Sequence, residues 1–233
     1  MSTKKDVSVV LFSGGLDSTL MLHERLKEGD FVYVLTFNYG QKNHLELQAS
    51  FNVLEWFGER FPSQGFHSIV PLPGDQLFGR HSALMAAGED LDRTPYEEVK
   101  ERAPQDGPLS SFVPYRNGVF ISMATALALR AKAQAVYIGI TGEGARDYPD
   151  CTYDFIVAQR QAVRAGTDGK VRLYAPFAEL TKQQIVEWAL NSGAPIHLTR
   201  SCYDSTPQPC GTCLACQERA AAFETLGVPD PAA

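Results

Sequence analysis

Residues 8–22 read SVVLFSGGLDSTLML, and the fold turns on how this stretch is parsed. Val9, Val10, Leu11 and Phe12 form an unbroken apolar run rich in strand formers, the pattern of a strand buried on both faces. Gly14 and Gly15 then admit backbone angles and close approaches that other residues resist. From about Asp17 the pattern becomes helical, with Leu22 and Leu26 on one face and Gly29 as the stop. A helix N-terminus offers unpaired N–H groups and a partial positive charge, which attract phosphate. The hydroxyls of Ser13, Ser18 and Thr19 add donors, whereas Asp17 would repel phosphate unless a divalent cation lay between them. The turn therefore reads as a holder for a phosphate–metal unit, the bland alternative being an ordinary glycine-rich connection.

Working outward, strands are expected at 31–37 (FVYVLTF), 66–72 (FHSIVPL), 135–140 (AVYIGI) and 170–176 (KVRLYAP). Helices are expected between them: at 44–57, with Leu47, Phe51 and Leu54 at helical spacing, at 118–133, and at about 153–165. Thr181 and Gln184 form a capping box opening a helix over 182–192, which Gly193 ends. Residues 74–111 carry scattered Gly, Pro and charge, and read as a long, partly helical loop region. Alternation of this kind predicts an α/β fold, a parallel sheet with helices on both faces. Ligands bind beyond the C-terminal strand ends of such sheets, where the Ser13–Thr19 turn belongs. The organisation expected is an α/β nucleotide-binding domain over 1–195 and a small cysteine-rich module over 196–233.

A chain of 233 residues, 44% hydrophobic and 21% charged, suits such a plan. The formal net charge of −6 argues against a dedicated RNA- or DNA-binding surface. There is no 18-residue apolar run, and MSTKKDVSV lacks the apolar core of a signal peptide, so no membrane partner and a cytoplasmic location are expected.

Four of the five cysteines, Cys202, Cys210, Cys213 and Cys216, form a C-x7-C-x2-C-x2-C array. The C-x2-C spacing lets two sulfurs reach one metal at about 2.3 Å from a tight turn. Four thiolates with no histidine among them favour a closed, structural Zn²⁺ over an iron–sulfur cluster or a redox dithiol. Cys151 stands apart and reads as a packed thiol rather than a nucleophile.

The glycine turn is neither of two common phosphate loops. No Gly-Lys pair follows Gly14 or Gly15, and Gly142–Asp147 lacks the third glycine of a dinucleotide fingerprint. SGGLDS instead resembles the pyrophosphate loop (PP-loop) of ATP pyrophosphatases, whose fold is Rossmann-like, of the adenine nucleotide alpha hydrolase type. LFSGGLDST (11–19), FNYGQKNHLE (37–46), VPYRNGVF (113–120), YPDC (148–151), LTKQQIV (180–186) and PCGTCLACQERAAAF (209–223) together resemble the 7-cyano-7-deazaguanine synthase family. The resemblance implies adenylation of the carboxylate of 7-carboxy-7-deazaguanine by ATP, attack by ammonia, then a second activation of the amide that yields a nitrile. It implies ATP and Mg²⁺ as well as Zn²⁺, a small-molecule deazaguanine substrate, and a homodimer.

On that resemblance Ser13, Asp17, Ser18, Arg116 and Lys182 are the candidate catalytic residues. Phe12, Ser13, Gly14, Gly15, Leu16, Asp17, Ser18, Thr19, Tyr39, Gly40, Gln41, Gly139 and Asp150 are the candidate binding residues. Arg116 is an always-charged bidentate donor suited to phosphate or carboxylate. Lys182 opens a helix, an odd place for a cation unless it faces an anion. His44 reads as an ordinary surface residue rather than a proton-transfer group. One segment departs from the family pattern. GITGEGARD (139–147) stands where the family commonly carries a loop close to GVNAVDYSG, so Thr141 replaces an Asn and Glu143 and Arg146 are new. The departure leaves open a second activity, in which the same adenylate is passed to an amine of another molecule, such as a protein. A nucleotide-sensing module without catalysis is the third reading, and the intact Ser13–Ser18 turn argues against it.

Overall fold

The computed structural model describes residues 6–101, 107–142 and 148–232. Five strands, β1 (Val7–Leu11), β2 (Phe31–Asn38), β3 (Gly65–Pro71), β4 (Ala135–Tyr137) and β5 (Arg172–Tyr174), form one sheet in the order β3-β2-β1-β4-β5. Every pairing is parallel. The helices are α1 (Leu16–Lys27), α2 (Leu45–Arg60), α3 (Gly74–Phe78), α4 (Tyr96–Glu101), α5 (Arg116–Ala131), α6 (Tyr153–Gly166), α7 (Lys182–Ser192) and α8 (Leu214–Leu226).

The apolar run of β1 explains the two-layered cover. Successive side chains of a strand point to opposite faces. Val9 and Leu11 join a core with Ile121, Ala124 and Ala128 of α5 and Ile156 and Val163 of α6. Val10 and Phe12 join a second core with Leu20 and Leu22 of α1, Val53 and Phe57 of α2, and Ile185 and Ala189 of α7. A fold with helices on both faces follows from a strand with no polar side.

The described residues of 74–111 contain α3 and α4, and β4 and β5 are shorter than their apolar runs. At α7 the capping box is present: Thr181 Oγ1 accepts from Gln184 N at 3.2 Å, and Gln184 Oε1 accepts from Thr181 N at 2.9 Å. Gly193 closes that helix at φ 76°. The helix α8 had no counterpart in the sequence reading, because the cysteines before it dominated that segment. It begins at Leu214, after its N-cap Cys213, and buries Ala222 and Phe223 in the core shared by α1 and α7. Among the described residues no helix is long and apolar enough to cross a membrane.

The strand order decides where a ligand goes. The chain runs outward from β1 through β2 to β3, then returns to place β4 on the other side of β1. Connections diverge at β1 and β4, which opens a crevice at their C-terminal ends.

Candidate functional site

A cavity of about 320 Å³ lies at that switch point. Phe12, Ser13, Gly15, Leu16, Asp17 and Ser18 line it after β1. Tyr39 and Gln41 line it after β2, and Gly139 and Thr141 after β4. Arg116, Asp150 and Lys182 complete its wall. Three expected residues stand outside it. Thr19 is fully buried in α1, Gly40 accepts a hydrogen bond from Ala86 N at 2.8 Å, and Gly14 shapes the loop from behind. Glu143 and Arg146 lie outside the described residues.

Gly14 is needed for two reasons. Its φ is +88°, and a Cβ there would stand 2.7 Å from Ser50 N and 3.0 Å from Glu46 O. The loop backbone is thus pressed onto the first turns of α2. Within the loop, Ser18 Oγ accepts from Ser13 N at 3.2 Å and donates to Gly15 O at 3.1 Å, while Ser13 Oγ accepts from Gly15 N at 3.2 Å. Hydroxyls and N–H groups are gathered around one turn at the start of a helix, which is an anion-binding arrangement.

Lys182, the first residue of α7, points its ammonium at this turn. Its Nζ is 2.8 Å from Asp17 Oδ1 and 2.7 Å from Asp17 Oδ2. A cation at a helix start is disfavoured by the helix dipole, and the Asp17 carboxylate offsets that cost.

A second charged group sits deeper. Tyr115 precedes α5 in a left-handed conformation at φ 55°, and Arg116 follows with its Nη1 donating to Tyr39 Oη at 2.8 Å. Asp150 Oδ2 accepts from Asn117 N at 2.8 Å, so the carboxylate caps the exposed N–H groups of α5. Burial raises the pKa of Asp150, against the hydrogen bond from Asn117. Cys151 packs behind it, where burial pushes the thiol up to about 12 and Asn117 Nδ2 donates to Sγ at 3.2 Å. A thiol so far above neutrality remains protonated, as a packed cysteine does.

Glu46 was missed by the sequence reading, although it stands in the quoted FNYGQKNHLE segment. It lines the cavity from the first turn of α2, and burial pushes its carboxyl up to about 7 although Arg116 and the Ser13 hydroxyl favour the ionised form. An acid in a first helical turn looks like an ordinary dipole partner, which is why the pattern hid it.

The four cysteines form a cluster able to hold a metal. The sulfurs of Cys202, Cys210, Cys213 and Cys216 all lie within 4.8 Å of one another. Four sulfurs at about 2.3 Å from one ion would be about 3.8 Å apart, so the set fits a tetrahedral site with slight contraction. Backbone N–H groups supply the outer shell: Asp204 N and Cys210 N donate to Cys202 Sγ at 3.3 and 3.4 Å, and Cys213 N donates to Cys210 Sγ at 3.3 Å. Such donors stabilise thiolates.

Arg200, also unforeseen, ties this cluster to the loop. Its N–H donates to Gly14 O at 3.2 Å, and its guanidinium donates to the carbonyls of Asp204, Thr206 and Pro207 between the first two cysteines. Asn43 Nδ2 donates to Cys202 O at 2.6 Å from the other side.

Sheet, switch-point cavity and phosphate-type turn define a Rossmann-like α/β protein, joined here to a four-cysteine cluster able to hold a metal. The profile of the family described as Queuosine biosynthesis protein QueC matches residues 7–227, and the chain belongs to that family. It is similar to the 7-cyano-7-deazaguanine synthase of Nautilia profundicola, 34% identical over 228 residues and covering 96% of each chain. The synthase of Solidesulfovibrio magneticus is 37% identical over 232 residues, covering 96% of this chain and 94% of that one. That of Acetivibrio thermocellus is 34% identical over 228 residues, covering 96% and 95%.

Proposed function

We propose that this chain uses ATP to adenylate the carboxylate of 7-carboxy-7-deazaguanine and delivers ammonia to it. A second activation then converts the amide to 7-cyano-7-deazaguanine, with AMP and pyrophosphate released each time. The observation that carries this reading is the set of relatives bearing that synthase's name, aligned over nearly the whole chain.

The chemistry suits the residues. A carboxylate oxygen leaves poorly, and attachment of AMP turns it into a good leaving group. In this reading the Gly14–Gly15 backbone and the hydroxyls of Ser13 and Ser18 take the charge that develops on pyrophosphate. Bound Mg²⁺ would supply further neutralisation of the triphosphate near Asp17. Lys182 keeps the Asp17 carboxylate from repelling the phosphates. Arg116, held by Tyr39, presents a fixed positive charge to the α-phosphate or the substrate carboxylate. Tyr39, Gln41 and Gly139 bound the nucleotide side, and Asp150 the substrate side. The four cysteines hold Zn²⁺ as a closed structural centre.

Exchange of labelled pyrophosphate into ATP tests the first step. It is expected only when 7-carboxy-7-deazaguanine is present, and exchange independent of that acid would contradict the reading.

A second reading is favoured by Thr141, which lines the cavity where the family pattern has an Asn. There the adenylate is passed once to an amine of another molecule, such as a protein, and ends as an amide. Mass added to a partner, with no nitrile formed, would select it.

A further inference from the structure

The reaction just proposed needs a group to accept the proton that the amine loses, and no residue named in that account does so. Among the described residues, four carboxyls line the cavity beside the phosphate loop and the Arg116 side: Asp17, Glu46, Asp150 and Glu218. Asp17 gives both oxygens to Lys182. Asp150 is fixed by Asn117 at the start of α5. Glu218, on α8, stands by Tyr203 and Cys151 and raises the pKa of each. Glu46 differs. It faces the Ser13 hydroxyl on the phosphate loop, Arg116 from α5 and Tyr39 from the end of β2, and it keeps some surface in the cavity. The close approach of Gly14 to Ser50 and to the Glu46 carbonyl oxygen sets the start of α2 against the loop, so the backbone that carries this carboxyl is held beside it.

We propose that Glu46 is a catalytic residue, the acceptor of the proton released when the amine attacks the adenylated substrate; this rests on the activity proposed above. The amine nitrogen forms a bond to the carbonyl carbon, the carbon–oxygen bond to AMP breaks with its electron pair leaving on AMP, and one N–H proton passes to the Glu46 carboxylate. The proton goes on to solvent as products leave. A carboxylate beside phosphates is repelled, so Glu46 is neutral while the triphosphate fills the loop. Departure of pyrophosphate lets it ionise, which places the base on hand when the amine arrives. An acid near neutrality serves that exchange best, and burial has moved Glu46 there.

Two half-reactions separate this role from simple binding. Adenylation involves no proton transfer from nitrogen, whereas amination does. Glu46→Gln is expected to keep carboxylate-dependent ATP–pyrophosphate exchange within about threefold of wild type while slowing ammonia-dependent AMP release by on the order of 10²-fold or more. Glu46→Asp, which retains the acid, is expected to recover part of the amination rate, and it serves as the second measurement should the Gln protein melt early. Amination by Glu46→Gln within about threefold of wild type overturns the proposal, as does exchange that falls in step with amination. A wild-type protein that shows no carboxylate-dependent exchange overturns the activity reading first, and the Glu46 proposal with it.

Discussion

Lys182 and Asp17 join the first turns of α7 and α1 through two contacts of 2.8 and 2.7 Å, with side chains only 16% and 19% exposed. The pair resolves two local oddities together: an acid in a phosphate-type turn and a lysine at a helix start. Each compensates the other: Lys182 alone would be a partly buried cation at the unfavourable end of a helix dipole, and Asp17 alone a partly buried carboxylate repelling phosphate from the turn.

Asp17→Ala is therefore expected to abolish AMP formation and to cost about 1–3 kcal/mol of stability, between a surface pair and a buried one. Lys182→Ala should cost a similar amount. The double variant should be more stable than the sum of the two losses implies, because both members of one pair are gone. Thermal melts of the three proteins and AMP assays check this. Wild-type rates of AMP release from Asp17→Ala would show that the turn acts differently.

The cysteine cluster should bind about one Zn²⁺ per chain. Cys213→Ala removes a fully buried ligand, and metal binding is coupled to local folding. Arg200 and Asn43 connect this region to the phosphate loop and to the segment before α2. Loss of metal to a chelator is thus expected to lower nucleotide affinity as well as the melting temperature. Elemental analysis that finds no zinc, or iron instead, would refute the assignment.

Gly14→Ala tests the loop backbone itself. A methyl group 2.7 Å from Ser50 N, on a residue at φ +88°, forces either the loop or α2 to move. A loss of at least about 2 kcal/mol is expected, seen as a fall of roughly 4–8 °C in Tm for a chain of this size. Carboxylate-dependent exchange should fall with it. An unchanged Tm would mean that the loop does not press on α2 as described.

Glu46 makes stability depend on pH in a definite direction. Its carboxyl sits at about 7 in the folded protein, above the ordinary 4.5. Between those values the folded state binds more protons than the unfolded chain, so stability falls as pH rises through that window. Glu46→Gln removes the loss. The variant is expected to match wild type near pH 5 and to exceed it by about 2–3 kcal/mol near pH 8, even though its amination is impaired. Melts at the two pH values decide the matter, and an equal difference at both would contradict it.

Much of this architecture was legible because it rests on local signals. The β1 run carries apolar side chains on both faces, Thr181 and Gln184 cap a helix by themselves, and the cysteine spacing by itself announces four sulfurs that can meet one ion. The gaps lie where partners come from far apart in sequence. In the sequence Lys182 reads only as a cation in need of an anion; the fold supplies the Asp17 carboxylate, 165 positions away. Arg200 looks like any arginine until its N–H is found on Gly14 O. Glu46 has no local signal beyond its place in a first turn, and its unusual pKa comes from burial that only the packing of α2 on the loop creates. The helix α8 was hidden for another reason: its small residues Ala220, Ala221 and Ala222 show weak amphipathicity beside the stronger message of the cysteines.

The central claim, that this protein turns a deazaguanine carboxylate into a nitrile at the expense of ATP, is tested most directly by the mass of the product. The protein is supplied with ATP, Mg²⁺, 7-carboxy-7-deazaguanine and ammonia, and the deazaguanine is followed by mass spectrometry together with the adenine nucleotides. The account predicts conversion through the amide to 7-cyano-7-deazaguanine, with AMP and pyrophosphate formed in step. Unchanged acid, or ADP and phosphate as the nucleotide products, would contradict it.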